Sequence, residues 1–142
     1  MWKTFTPVLL IAGLLALSCD QLEDKPKLQE SLPYSQWEIT GYLPPTGEDP
    51  RLSPVTYQLT FINDTTFILT LDINRVVGKY VATQDGSFAI REVKQTKSCC
   101  DSEYALQMAE LVKGAQTYQS TREGVSLLGA GEVFLKKKVT GN

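Results

Sequence analysis

The feature that most constrains the fold is a two-residue alternation over residues 55–71. Val55, Tyr57, Leu59 and Phe61 alternate with Thr56, Gln58 and Thr60. After Asn63-Asp64, Phe67, Leu69 and Leu71 alternate with Thr66, Ile68 and Thr70. Successive side chains of a strand point to opposite faces, so this spacing predicts a hairpin with an apolar inside face. A one-residue slip would turn that whole face to solvent, which pins the register.

The flanking segments extend the same architecture. Trp37, Ile39 and Gly41 share one face of a first strand, and the proline-rich stretch 43–54 reads as a loop. Residues 72–77 read as a loop or irregular strand end. Residues 78–82 form a short strand with Tyr80 inward, and residues 88–93 return from the Gln84-Asp85-Gly86-Ser87 turn. Asp101-Ser102-Glu103 has the character of a helix start, with a capping Asp or Ser and an acid in the first turn. Tyr104, Met108, Leu111 and Val112 then lie on one helical face, and Gly114 stops the helix. Residues 115–121 form a Tyr118-bearing strand. A last hairpin, 125–128 and 132–136, turns at Gly129-Ala130-Gly131. The expected class is mainly β (α+β): an antiparallel sheet or partly open barrel of about seven to eight strands with one helix, about 101–113, packed on it.

The chain begins Met1-Trp2-Lys3, with one positive charge, and continues into an apolar run from Val8 to Leu17. A short basic start, about ten apolar residues and small residues ahead of a cut are the pattern of a secretory leader. The run is well below the roughly 20 residues needed to span a bilayer. Leu15-Ala16-Leu17-Ser18-Cys19 resembles the bacterial lipobox, with Ala16 where Leu is usual. That resemblance implies a diacylglyceryl group on the Cys19 thiol, removal of residues 1–18, and an acylated new amino terminus. Two or more acyl chains are needed for firm anchoring, since one myristoyl chain binds membranes at only about 10⁴ M⁻¹. Residues 19–35, polar and carrying two prolines, are then a flexible tether. Residues 36–138 are the folded domain and 139–142 a tail.

Composition closes off several functions. Lys3 leaves with the leader, so the remaining 124 residues carry 13 basic and 16 acidic side chains. That is enough chain for one cored domain, and it has no basic footprint for nucleic acid. The chain has no histidine, which excludes Ser-His-Asp and Cys-His nucleophiles and the usual zinc sites. The expectation is no cofactor, no metal and no enzyme.

A series of landmarks resembles the META domain, the family of the heat-shock protein HslJ. Trp37 opens the first strand. Asn74, Gly78 and Tyr80 follow as Asn-x-x-x-Gly-x-Tyr, and Thr96 and Cys100 form Thr-x-x-x-Cys ahead of a helix with an early Glu103. Tyr118, Leu127 and Leu135 complete the order, and the match covers roughly residues 36–138. The resemblance implies a fold and an association with stress tolerance and the envelope, not a chemistry. The family often has Cys just before the Asn. Ile73 stands there in this chain, so a disulfide between that loop and the helix start is lost, or replaced by one involving Cys99.

Cys99-Cys100 is the most distinctive local feature. One reading is a vicinal disulfide, strained because adjacent Cα atoms lie about 3.8 Å apart while disulfides usually span about 4.4–6.8 Å; it would serve as a redox-sensitive element or an intermolecular contact. The other, which is the expectation, is a pair of free thiols, with Cys100 packed in the core and Cys99 incidental. Asp101 and Glu103 are accounted for by helix capping. Asp72 and Asn74 are too few oxygen ligands for calcium and read as caps on their loop backbone. Lys136, Lys137 and Lys138 either touch anionic lipid, at about 1 kcal/mol per charge, or solubilise the end of an edge strand.

The sequence therefore leads to a lipid-anchored protein of the bacterial cell envelope, facing the periplasm or the exterior, whose domain is a non-enzymatic protein-interaction or stress-tolerance module. Its partners are the membrane, through lipid on Cys19, and an envelope protein. The alternative is a lipocalin-like carrier of a small apolar ligand inside a barrel. An empty apolar interior separates the carrier from the interaction module.

Overall fold

The computed structural model describes residues 29–138. Cys19 and the leader lie outside the described residues. The elements are β1 (Ser35–Leu43), β2 (Arg51–Phe61), β3 (Thr66–Thr70), β4 (Arg75–Ala82), β5 (Phe88–Gln95), α1 (Glu103–Lys113), β6 (Thr117–Ser120), β7 (Gly124–Leu128) and β8 (Glu132–Lys137). Eight antiparallel strands form one sheet in the order β5-β4-β3-β2-β1-β8-β7-β6. The sheet curls into a half-barrel. Its two edges touch where Phe88 N–H donates to the Gln116 carbonyl at 2.8 Å and Tyr118 N–H donates to the Gly86 carbonyl at 2.8 Å.

The hairpin read from the alternation is present, with Phe61 opposite Phe67 and Leu59 opposite Leu69. Those four residues are at most 1% exposed. Trp37, Ile39, Tyr57, Tyr80, Tyr118, Leu127 and Leu135 join them in one apolar interior. The helix contributes Ala105, Met108, Ala109 and Val112, and covers one end of the curled sheet's interior, near β8. Tyr104 and Leu111, expected on that face, are half-buried at its margin. The interior rings fall into two groups. Tyr104 meets Tyr42 and Tyr57 at centroid distances of 4.9 and 5.7 Å. Phe61, Tyr80, Phe88 and Tyr118 form a second run, with Phe61 4.7 Å from Tyr80. Burial pushes the Tyr80 phenol up to about 12.

Gly78 has a steric reason in this packing. A Cβ there would come within 2.8 Å of the Phe67 ring and 2.1 Å of the Glu92 carbonyl oxygen. A side chain would push β4 off both neighbours.

Several boundaries differ from the sequence-based expectation. The loop expected over 43–54 is shorter, because β2 already begins at Arg51 and pairs Leu52 with Gly41. Between that pair and Ile39–Tyr57, β2 runs three residues longer than β1. These extra residues bulge away from β1, so Val55, expected inside, is 53% exposed. β4 likewise starts at Arg75, inside the segment expected to be irregular. β8 is not an edge strand; it lies between β1 and β7.

The leash expected to run to residue 35 is docked from Gln29 onward. Gln29 Oε1 accepts from Ser120 N–H at 2.8 Å, and Glu30 N–H donates to Ser120 Oγ at 2.6 Å. Leu32 is fully buried, and Lys137 pairs with Glu30 while lying 5.8 Å from the Trp37 ring centroid. One leucine in a polar stretch has no periodicity of its own, but its removal from water can supply about 1.5–3 kcal/mol, enough to seat a short segment.

Candidate functional site

The chemistry-bearing side chains gather at the end of the half-barrel opposite Gln29, where the β3–β4 turn faces the segment 96–102 that leads into α1. Asn74 is the centre. It is 3% exposed, and all of its hydrogen-bonding capacity is used. Its Oδ1 accepts from Thr96 Oγ1 and from Ser98 N–H, each at 2.8 Å. Its Nδ2 donates to the Ser98 carbonyl at 2.7 Å and to Asp101 Oδ2 at 2.6 Å. Asp101 returns the tie, its Oδ1 accepting from Ile73 N–H at 2.9 Å and Asn74 N–H at 3.1 Å.

A second bracket stands beside the first. Asp72 Oδ2 accepts from Ser102 N–H and Ser102 Oγ, each at 2.7 Å, and its Oδ1 accepts from Tyr57 OH at 2.8 Å. Ser102 is the helix cap, its Oγ accepting from Ala105 N–H at 3.2 Å. Of the two capping candidates, Ser102 takes the position, and Asp101 is turned away to hold the facing turn. Glu103 sits exposed in the first turn and accepts from Gln107 Nε2 at 2.9 Å.

These bonds set the electrostatics. The Ser102 hydroxyl and N–H hold the Asp72 carboxyl below the usual carboxylate range. For Asp101, burial pushes upward, but the donors of Ile73 and Asn74 outweigh it and the carboxyl lies low as well. Burial, assisted by Asp72, raises the Tyr57 phenol. Both carboxylates are therefore ionised acceptors at neutral pH, each taking three hydrogen bonds from the facing segment or the barrel wall. Such groups hold loops together; they have no proton to give.

The cysteines sit between the two anchors. Cys99 and Cys100 are paired as a vicinal disulfide across a Cα–Cα distance of 3.7 Å. Both are exposed, which corrects the expectation that Cys100 packs in the core. The reason is local: Ser98 on one side and Asp101 on the other are tied to Asn74, so the two residues between them bow outward. Cys100 takes a φ of 89°. Lys97, Ser98, Cys100, Asp101 and Leu106 line an open groove of about 450 Å³.

Of the residues singled out by sequence, Asn74, Thr96, Cys99, Cys100, Asp101 and Asp72 come together here. Trp37, Gly78 and Tyr80 are in the packed sheet. Lys136, Lys137 and Lys138 lie towards the opposite end. Ser98 and Tyr57 are members that residue type alone does not reveal. Ser98 contributes mainly through its backbone, and Tyr57 is legible in the sequence only as a core ring. Among the described residues, no group of three or more His, Cys, Asp or Glu side chains is arranged to hold a metal ion. No helix among them is long and apolar enough to cross a membrane.

No family profile and no curated protein sequence matches this chain. Two solved structures are similar to it. One, described as the NMR structure of the protein from Burkholderia xenovorans, aligns with a TM-score of 0.61 at 11% identity, covering 76% of this chain and 84% of that one. The other, the crystal structure of a DUF4847 family protein from Bacteroides vulgatus, aligns with a TM-score of 0.55 at 14% identity, covering 74% and 93%. At such identities the likeness concerns the fold.

Proposed function

We propose that this chain is a lipid-anchored protein of the bacterial envelope whose META/HslJ-like domain is a non-enzymatic protein-interaction or stress-tolerance module. The anchor reading rests on the leader and on Cys19. The observation that carries the non-enzymatic reading is the engagement of Asp72, Asn74 and Asp101 in holding loops. What the domain offers a partner is then its surface, including exposed Ile73 and Leu106 beside the cysteine pair.

The META reading draws support from the jobs of the shared residues. Asn74 bonds directly to Thr96, and Gly78 makes room for Phe67. Where the family's cysteine would join the loop to the helix start, Ile73 N–H and Asn74 are joined to Asp101 by hydrogen bonds. The interaction module is favoured over the apolar-ligand carrier because Trp37, Tyr57, Phe61, Phe67 and Tyr80, each at most 2% exposed, occupy the interior a ligand would need.

Feeding cells an alkyne fatty acid tests the anchor: label should follow the full chain into membranes and vanish in Cys19→Ala. Crosslinking on intact cells followed by capture of the lipidated chain tests the module. One consistent envelope partner is expected; cross-links that track total envelope abundance would contradict it.

A further inference from the structure

We infer that Cys99–Cys100 is a thiol–disulfide exchange site, a two-electron redox centre whose partner is a protein dithiol. First, the bond has little to do as a staple. A disulfide stabilises mainly by closing a loop in the unfolded chain, and its effect grows with the loop. A bond between neighbours in sequence closes almost none. The loop that carries it is already held by hydrogen bonds from Asn74 and Asp101, and these do not involve sulfur.

Second, the pair is accessible. Both residues are exposed, and the anchors on Ser98 and Asp101 hold them out of the core, at the rim of the groove, so an incoming thiolate reaches sulfur without unfolding the domain. Third, a cation and a helix amino terminus flank the pair in sequence. Lys97 precedes the pair and the amino terminus of α1 follows it, capped at Ser102. Positive charge and a helix amino terminus favour the thiolate that leaves on reduction. Asp101 and Glu103 oppose this, but the Asp101 carboxylate is directed onto Ile73 and Asn74. Fourth, the paired state carries a non-glycine residue, Cys100, at a φ of 89°, a sparsely populated backbone region of the kind that clusters at functional sites.

The exchange is balanced in atoms and electrons. A thiolate of the partner dithiol attacks one sulfur of the pair, forming a mixed disulfide and releasing the other sulfur as a thiolate. The partner's second thiol then displaces the first sulfur. The partner ends as a disulfide, and Cys99 and Cys100 end as two thiols, having gained two electrons and two protons. The reverse sequence, with an oxidised partner, restores the ring.

The envelope location proposed above matters only for where such partners are met, and the test uses purified chain. The full-length protein is isolated without reductant and treated with N-ethylmaleimide before and after dithiothreitol in native buffer, then read by peptide mass spectrometry. The 99–100 peptide should first appear unlabelled and two hydrogens lighter than its dithiol form. After dithiothreitol both sulfurs should be alkylated, with labelling raised at least about tenfold and the urea midpoint unmoved. In Cys100→Ser, glutathione disulfide should leave a lasting adduct on Cys99, whereas the reduced parent chain should expel glutathione and close its ring. Alkylation of both sulfurs without reductant would overturn the inference. So would a ring that yields to dithiothreitol only after the domain is unfolded.

Discussion

The segments that cover the two ends of the half-barrel are fixed in place by different chemistry. At the end where the described chain begins, Leu32 is buried, Trp37 is covered by Lys137, and a few hydrogen bonds tie Gln29 and Glu30 to Ser120. At the far end α1 lays Ala105, Met108, Ala109 and Val112 on the interior, and the loop that leads into it is fixed by polar groups: Asp72, Asn74 and Asp101 bind opposing backbone and hydroxyl groups across the gap between the β3–β4 turn and the start of α1. Burial of apolar surface is non-directional and tolerates small shifts. A network of hydrogen bonds fixes geometry, and losing one member strands the others in a drier environment. The apolar end seats a segment; the polar end sets a loop in one conformation and presents two cysteines on it.

This contrast can be broken at either end. The largest effect is expected at the apolar end. Leu32→Ala should lower unfolding free energy by about 2–4 kcal/mol, measured by urea titration; a loss below about 0.5 kcal/mol would mean that residues 29–33 merely rest on the sheet. At the polar end Asn74→Ala should cost about 2–3 kcal/mol, since it leaves the Ser98 N–H and the Asp101 carboxylate short of partners. Its signature should be local: amide exchange should quicken at Ser98 and stay protected in β2 and β3.

Acid should separate the ends further. Asp72 and Asp101 have lowered pKa values in the fold. Their contribution is therefore complete above the unfolded value of about 3.9 and is lost as pH falls through the lower folded values. Asp101→Asn should be less stable than the parent chain at pH 7, and the gap should narrow below about pH 3. Leu32→Ala should keep its deficit at both pH values. Urea midpoints of both variants at the two pH values check this, and an Asp101→Asn deficit unchanged in acid would count against the carboxylate's role.

Much of the apolar architecture is legible in the sequence because it is periodic. Tyr57, Leu59 and Phe61, like Phe67 and Leu69, repeat every second residue, and one buried face leaves a single register. The helix is legible from Ser102, Glu103 and the spacing of Met108 and Val112. Val55 continues the same alternation and is nonetheless exposed, because the excess residues in β2 lift it off β1, a tertiary event with no local pattern. Leu32 is hidden for the converse reason, being one apolar residue without a repeat. At the polar end the residue types that favour loop ties, Asp72 and Asn74, are recognisable. Their partners are not, since Ser98 and Ile73 take part through backbone groups that every residue possesses.

Asn74 and Asp101 act as one clamp, and a double-mutant cycle measures that directly. Unfolding free energies of the parent chain, Asn74→Ala, Asp101→Ala and the double variant should give a coupling of at least about 1 kcal/mol, with the double variant less destabilised than the sum of the singles. Additivity within about 0.3 kcal/mol would contradict the clamp, and with it the outward bow that makes Cys99 and Cys100 stand out from the domain.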